Sequence, residues 1–87
     1  MFVFEAVLLV EKCGLDFKVL NAGRQLNIKD LSGLWHSYYP STGSMVFYKF
    51  DDRSKKITLH YQTLTEDFIN EYFKDPDRIQ NMFKEEE

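Results

Sequence analysis

Side chains that could carry out chemistry are few in this sequence. His36 and His60 are its two histidines, and Cys13 is its one cysteine. A protein zinc site uses three or four such ligands at short spacings, and these three residues are widely separated in the chain. A nucleophilic site needs a base, a group that orients it and an oxyanion hole, and no motif supplies them. We therefore expect a protein that is not an enzyme and binds no metal or cofactor.

Acidic side chains are concentrated at the C-terminal end. Residues 63–87 carry eight Asp or Glu against three Lys or Arg, whereas residues 1–62 carry six against eight. Asp67 and Glu71 are spaced as like-charged neighbours on a helix, which a purely structural helix usually offsets with a cation. A carboxylate surface of this kind can imitate nucleic-acid phosphates and steers association with a basic partner.

Aromatic residues are unusually frequent, at 16% of the chain. The stretch WHSYYPSTGSMVFYKF, residues 35–50, alone holds six of them. We expect Trp35 in the core and other rings on the surface, where exposed aromatic patches mark interaction sites. The leading prediction is a partner-binding surface of carboxylates and aromatic anchors. Its residues are Glu66, Asp67, Glu71, Asp75, Asp77, Tyr38, Tyr48 and Tyr72.

A basic hairpin supports an alternative prediction. Four cations lie close together in the sequence, at Lys49, Arg53, Lys55 and Lys56. Basic residues beside aromatic rings on a sheet are the ingredients of single-stranded nucleic-acid binding. The net charge of −3 weighs against this alternative, because phosphate binding favours a basic protein.

Length and composition indicate one small domain spanning residues 1–87. A lone cysteine cannot form an internal disulfide, which favours a cytoplasmic setting. The apolar run at the N-terminus is interrupted by Glu5 and stops at Glu11, too short for a membrane span, so we expect no membrane partner. The size and acidic end are typical of small stand-alone binding proteins, including inhibitors that phages and mobile elements use against host enzymes. A homodimer is a third, weaker prediction.

Hydrophobic periodicity predicts the elements that must position these residues. Alternation predicts a strand over residues 2–10, which pairs with a second strand over 15–20. Apolar spacing predicts a helix over residues 28–39, although the preceding RQLNI could be a short strand. Residues 45–50 and 56–62 read as a hairpin around DDRSKK.

The C-terminal end reads as helical. Thr65 is a suitable N-cap for one helix, and Asp75 followed by Pro76 starts another. We expect residues 84–87 to form a frayed acidic tail. The predicted fold class is α+β: an antiparallel sheet of four to five strands with two or three helices packed on it, in the order ββαββαα.

Overall fold

A computed structural model describes residues 2–60 and 63–86. Within these residues, three helices and five strands follow one another, with a short 3₁₀ turn at Asn21–Gly23. In order, they are α1 (Val3–Lys12), β1 (Phe17–Leu20), β2 (Gln25–Lys29), β3 (Trp35–Tyr39), β4 (Ser44–Lys49), β5 (Asp52–Leu59), α2 (Glu66–Tyr72) and α3 (Pro76–Glu86). The predicted α+β class and antiparallel sheet are confirmed, with the difference that a helix precedes the first strand.

The five strands form a meander in which each strand is antiparallel to the next, in the order β1-β2-β3-β4-β5. One line of paired positions crosses the middle of the sheet from Leu26 to Tyr38 and on to Met45. The β4–β5 hairpin is irregular at Tyr48 and Lys49, where the register shifts. Extra residues of this kind bend and twist the edge of a sheet.

The core lies on one face of the sheet. Because side chains alternate along a strand, the strand residues that pack against the helices all project to the same side, whereas Ser37 and Val46 are buried on the other face. That buried set is Leu26, Ile28, His36, Tyr38, Met45 and Phe47. Each of the three helices contributes apolar residues to the same cluster: Ala6, Val10, Phe68, Ile69, Phe73, Ile79 and Phe83. The described residues therefore form two layers, and none of the three helices lies over the second face of the sheet.

The two C-terminal helices begin where their caps predict. Thr65 accepts a hydrogen bond on its Oγ1 from the backbone N–H of Phe68 at 3.1 Å, so it caps α2. Pro76 is the first residue of α3, a position that needs no backbone N–H. The helix continues through Glu86, so residues 84–86 belong to its last turn, and the frayed acidic tail over residues 84–87 stays a prediction. Glu87 lies outside the described residues.

The N-terminal segment is a helix, so the predicted strand over residues 2–10 and its hairpin with 15–20 are wrong. Nearly every position from Phe2 to Val10 is apolar, and such a run fits a strand and a helix equally well. Ala6 and Val10 are four residues apart and face the sheet. The helix ends in a Schellman motif, with Gly14 at a φ of 76° and Leu15 N–H bonded to the Val10 carbonyl.

The helix predicted over residues 28–39 is replaced by the end of β2, a turn and β3. Asp30 builds the turn, because its Oδ1 accepts hydrogen bonds from the backbone N–H groups of Ser32 and Leu34. Gly33 has a φ of 95°, which a right-handed helix does not accommodate. The alternative reading of RQLNI as a strand is confirmed as β2.

The remaining strand predictions are confirmed within the described residues. The predicted strand 15–20 is β1, and the predicted hairpin is β4 and β5. The strand predicted over 56–62 starts earlier, at Asp52, and ends at Leu59. Tyr61 and Gln62 lie outside the described residues.

Candidate functional site

The face of the sheet that carries no helix is the candidate site, and we call it the open face. Its side chains alternate with the buried set and are placed by the strand register. They are Lys18, Leu20, Gln25, Asn27, Lys29, Trp35, Ser37, Tyr39, Ser44, Val46, Tyr48, Lys56 and Thr58. Aromatic, basic and amide side chains are thus gathered on one uncovered surface.

Two rings on the open face are covered by cations. The ammonium groups of Lys18 and Lys29 lie 4.9 and 5.7 Å from the centroid of the Trp35 ring. The guanidinium carbon of Arg53 lies 4.9 Å from the centroid of the Tyr48 ring. These separations are within the range of cation–π contacts. The open face therefore pairs each of these rings with positive charge.

A polar network ties three strands together between these two rings. Gln25 Nε2 donates to Asn27 Oδ1 at 3.0 Å and to Ser37 Oγ at 3.1 Å. Ser37 Oγ donates to Asn27 Oδ1 at 2.9 Å and lies 3.5 Å from the hydroxyl of Tyr48. Since these side chains bond to one another, they hold the middle of the open face in one arrangement.

Charge is divided between the two layers. Lys18, Lys29 and Lys56 occupy strand positions of the open face, and Arg53 joins them through its contact with Tyr48. Among residues 2–60, no Asp or Glu occupies a strand position of that face. Asp16 approaches from the rim, with its carboxylate 3.9 Å from the Lys29 ammonium group.

The helical layer carries the carboxylates that the sequence analysis selected, and part of this charge is neutralised. Glu66 pairs with Lys12 at 3.3 Å, and Glu71 pairs with Arg78 at 2.6 Å. The Arg78 guanidinium also lies 5.4 Å from the ring of Tyr72, which is half-buried against the core. The remaining selected carboxylates, Asp67, Asp75 and Asp77, are exposed.

The eight residues predicted to bind a partner protein do not form one surface. Tyr38 was expected to be exposed, but only 1% of it is accessible, because its position in β3 faces the helices. Burial raises the pKa of the Tyr38 hydroxyl, and a hydrogen bond with the backbone of Leu64 opposes that rise. Tyr48 lies on the open face, opposite to the helices that carry the carboxylates. Only Tyr72 lies near them.

The basic hairpin is divided as well. Arg53 and Lys56 belong to the open face, where Arg53 covers Tyr48 and Lys56 is its register partner. Lys49 and Lys55 line a cavity that is bordered by Phe83 and Glu86 of α3, and Lys56 reaches the same cavity from its position on the open face. Two of the four predicted nucleic-acid contacts are therefore on the open face.

The open-face residues that sequence reasoning missed include Lys18, Lys29, Trp35 and Tyr39. Trp35 was expected in the core, yet it is only half-buried beneath its two lysines. The available signal was period-two alternation from Gln25 to Lys29, where Leu26 and Ile28 face inward. Reading residues 28–39 as a helix concealed this signal.

The histidines have separate surroundings. His36 is buried, and both of its ring nitrogens are engaged, Nδ1 by the Tyr48 N–H and Nε2 by Asp30. His60 is exposed, with Nδ1 3.3 Å from Ser44 Oγ. Within residues 2–60 and 63–86, no group of three or more His, Cys, Asp or Glu side chains could hold a metal ion. The same residues include no helix with the length and apolar character needed to cross a bilayer.

A second uncovered surface is apolar. Phe2, Phe4 and Leu8 are 74%, 61% and 58% exposed along the outer side of α1, and Val19 on the edge strand β1 is 48% exposed. Exposed apolar groups that form a continuous patch favour association. The homodimer, which was predicted to form through an edge strand or the open face of the sheet, stays a prediction.

No protein-family model, curated protein or solved structure matches this chain. What the protein does is therefore inferred from the chemistry of the open face and of the helical layer. These two surfaces lie on opposite sides of the sheet and carry opposite charge. They suit different partners.

Proposed function

We propose that the open face binds single-stranded nucleic acid. The observation that carries the proposal is the joint presence of Trp35, Tyr48 and four cations on an uncovered sheet face whose strand positions, within the described residues, hold no carboxylate. Proteins that bind single strands combine a positive surface for the phosphates with rings on which the bases stack. A single strand fits this face because its bases are free to stack on protein rings, whereas those of a duplex are paired and stacked on each other.

The net charge of −3 does not oppose this proposal, because the charge is unevenly placed. The acidic helices lie behind the sheet, and the molecule is at least 20 Å across. The screening length at physiological ionic strength is about 8 Å, so a strand on the open face interacts mainly with the nearby cations. Local charge therefore decides which ligand the face attracts.

Binding is tested with a fluorescently labelled ten-nucleotide single strand at low ionic strength, followed by anisotropy. We expect the wild type to bind and the Lys18→Glu, Lys29→Glu double variant to lose most of its affinity. The matched control is Asp67→Lys with Glu71→Lys, which changes charge by the same magnitude on the helical layer. The proposal is contradicted if the wild type does not bind at low salt. It is also contradicted if the two double variants have the same affinity for the strand.

A second candidate function uses the helical layer, where Asp67, Asp75 and Asp77 are exposed. Such a surface suits a protein partner with a basic patch, and covering that patch would make this chain an inhibitor or modulator. Here the charge dependence is reversed: Asp67→Lys with Asp77→Lys weakens and slows association with the partner, whereas the lysine variants of the open face do not. A purified partner captured equally well by both pairs of variants would rule out this candidate.

For both candidate functions we propose that the protein works in a reducing, cytoplasmic setting. The support is that Cys13, the one cysteine of the chain, is a free thiol. Disulfides are rare where thiols are kept reduced.

A further inference from the structure

Trp35 is held in an unusual position for the one tryptophan of the chain. It lies at the start of β3 on the open face, directly opposite Lys29 in the β2–β3 register. Lys18 reaches the same ring from β1, so side chains of two neighbouring strands converge on one indole. The ring is half-buried and therefore anchored, and the ammonium groups of Lys18 and Lys29 lie over it.

Two ammonium groups over one ring repel each other, and each is only weakly held there at an exposed site. A lysine side chain is flexible and carries its charge as a single compact group. It can therefore leave the ring without breaking a planar stacked or bidentate contact of the kind that arginine makes. A phosphate beside the ring offers Lys18 a stronger partner, because it carries a full negative charge, and for Lys29 it competes with the Asp16 carboxylate 3.9 Å away. The same movement uncovers the indole.

We propose that Trp35 is a base-stacking platform, and that Lys18 and Lys29 move from its ring onto the phosphates that flank the stacked nucleotide. The inference rests on the proposed function, and it specifies the ligand: a chain with unpaired bases, rather than a polyanion in general. Every base has a π-face, so stacking on Trp35 tolerates different sequences.

Tyr48, the second covered ring, is less suited to this exchange. Its hydroxyl lies 3.5 Å from Ser37 Oγ, and its cover is Arg53. A guanidinium group is planar and stacks on an aromatic face, so it holds that face more firmly than an ammonium group does. We therefore assign the first stacked base to Trp35 and leave Arg53 over Tyr48 as a phosphate contact.

The experiment uses Trp35 itself as the reporter, because its fluorescence is the only tryptophan signal of the chain. Three probes are titrated at equal ionic strength: a ten-nucleotide oligothymidylate, an abasic strand of the same length, and inorganic polyphosphate. We expect the oligothymidylate to quench the fluorescence and to bind roughly 5- to 150-fold more tightly than the abasic strand, the range expected for one stacked base. The abasic strand and polyphosphate bind without that quenching.

Substitutions separate stacking from charge. Trp35→Leu should bring the affinity for oligothymidylate, measured by anisotropy, down to that for the abasic strand, whereas Trp35→Phe should keep most of the difference. Both variants keep the salt dependence of the wild type, since the cations remain. Tyr39→Leu is the matched control, a ring removed from the other end of the same strand and face.

The outcomes are distinct. Equal affinity for the oligothymidylate and the abasic strand, with no effect of Trp35→Leu on either affinity, overturns the stacking platform but leaves phosphate binding by the open face intact. Loss of binding to all three probes at low salt overturns the proposed function, and the stacking platform with it.

Discussion

The imidazole of His36 and the carboxylate of Asp30 are joined by a 2.7 Å hydrogen bond between two side chains that solvent does not reach. Tyr48 donates its backbone N–H to Nδ1 of His36 at 3.1 Å, so that nitrogen carries no proton. Nε2 is therefore the protonated nitrogen and donates to Asp30. The chain of bonds connects the turn after β2 to the strand that presents Tyr48 on the open face.

Replacing His36 by Phe preserves the ring but removes both of these bonds. The Asp30 carboxylate loses one buried donor, and the Tyr48 N–H loses its acceptor. Each unpaired buried group is costly, and we expect the free energy of unfolding to fall by about 2–5 kcal/mol. Urea denaturation measures the change, and His60→Phe at an exposed position is the control. Equal stability of His36→Phe and the wild type would mean that water replaces both partners.

The pH dependence of stability follows from the same carboxylate. Burial by itself raises the pKa of Asp30, but hydrogen bonds from His36, Ser32 and Leu34, together with the electrostatic attraction of His36, outweigh it, and the pKa lies below its ordinary value. A depressed folded-state pKa stabilises the fold above the unfolded value of about 3.9, and this stability is lost as pH falls through the folded pKa.

Urea midpoints between pH 7 and pH 2.5 test this dependence. The wild type should lose stability below about pH 4, and Asp30→Asn should be less stable at pH 7 with a flatter profile, because it has no such proton to take up. Asp52 is the control: a hydrogen bond from Ser54 lowers its pKa, but the group is exposed, so Asp52→Asn should keep most of the acid-induced loss. Parallel profiles for Asp30→Asn and the wild type would show that other carboxylates dominate.

The N-cap of α2 offers a test that involves neither the buried pair nor the open face. Thr65→Ala removes the side-chain oxygen that accepts the Phe68 N–H, and we expect a loss of about 1 kcal/mol. Thr63→Ala, two residues earlier and also exposed, is the matched control and should change the stability little. Thermal or urea unfolding measures both, and equal losses would show that the Thr65 cap contributes nothing specific.

The C-terminal helices and the β4–β5 hairpin could be predicted because local chemistry and tertiary packing agree there. Thr65 and Pro76 mark the starts of α2 and α3, and Phe68 and Ile69 lie where a helical stripe requires them. In the β4–β5 region, two runs rich in β-branched and aromatic residues flank the polar stretch DDRSKK, which marks a hairpin. These signals lie within a few residues of the elements that they specify.

The first helix and the central strand β3 could not be predicted in the same way. In the N-terminal segment almost every residue is apolar, so periodicity does not distinguish its two faces. In residues 28–39 the helical spacing of apolar residues arises by chance from two strands joined by the Asp30 turn. The decisive interaction, His36 with Asp30 and Tyr48, depends on tertiary contact with a strand twelve residues away. The open face was missed for the same reason, since Trp35 was assigned to the wrong kind of element.

The salt dependence of the binding affinity reports how many phosphates the open face contacts. For single strands the slope of log affinity against log salt is about −0.7 for each phosphate neutralised, so contacts from Lys18, Lys29, Arg53 and Lys56 together predict a slope of about −3. Arg53→Ala should make the slope shallower by about 0.7, because one such contact is lost.

Lys84→Ala is the matched control for Arg53→Ala, since Lys84 is exposed on α3 in the helical layer. It removes the same charge from the whole protein, and we expect it to leave the slope unchanged. Anisotropy titrations of a ten-nucleotide strand between 20 and 200 mM salt, roughly the range over which such slopes are resolved, give all three values. If the two variants shift the slope equally, net charge governs binding rather than position, and the strand is not confined to the open face.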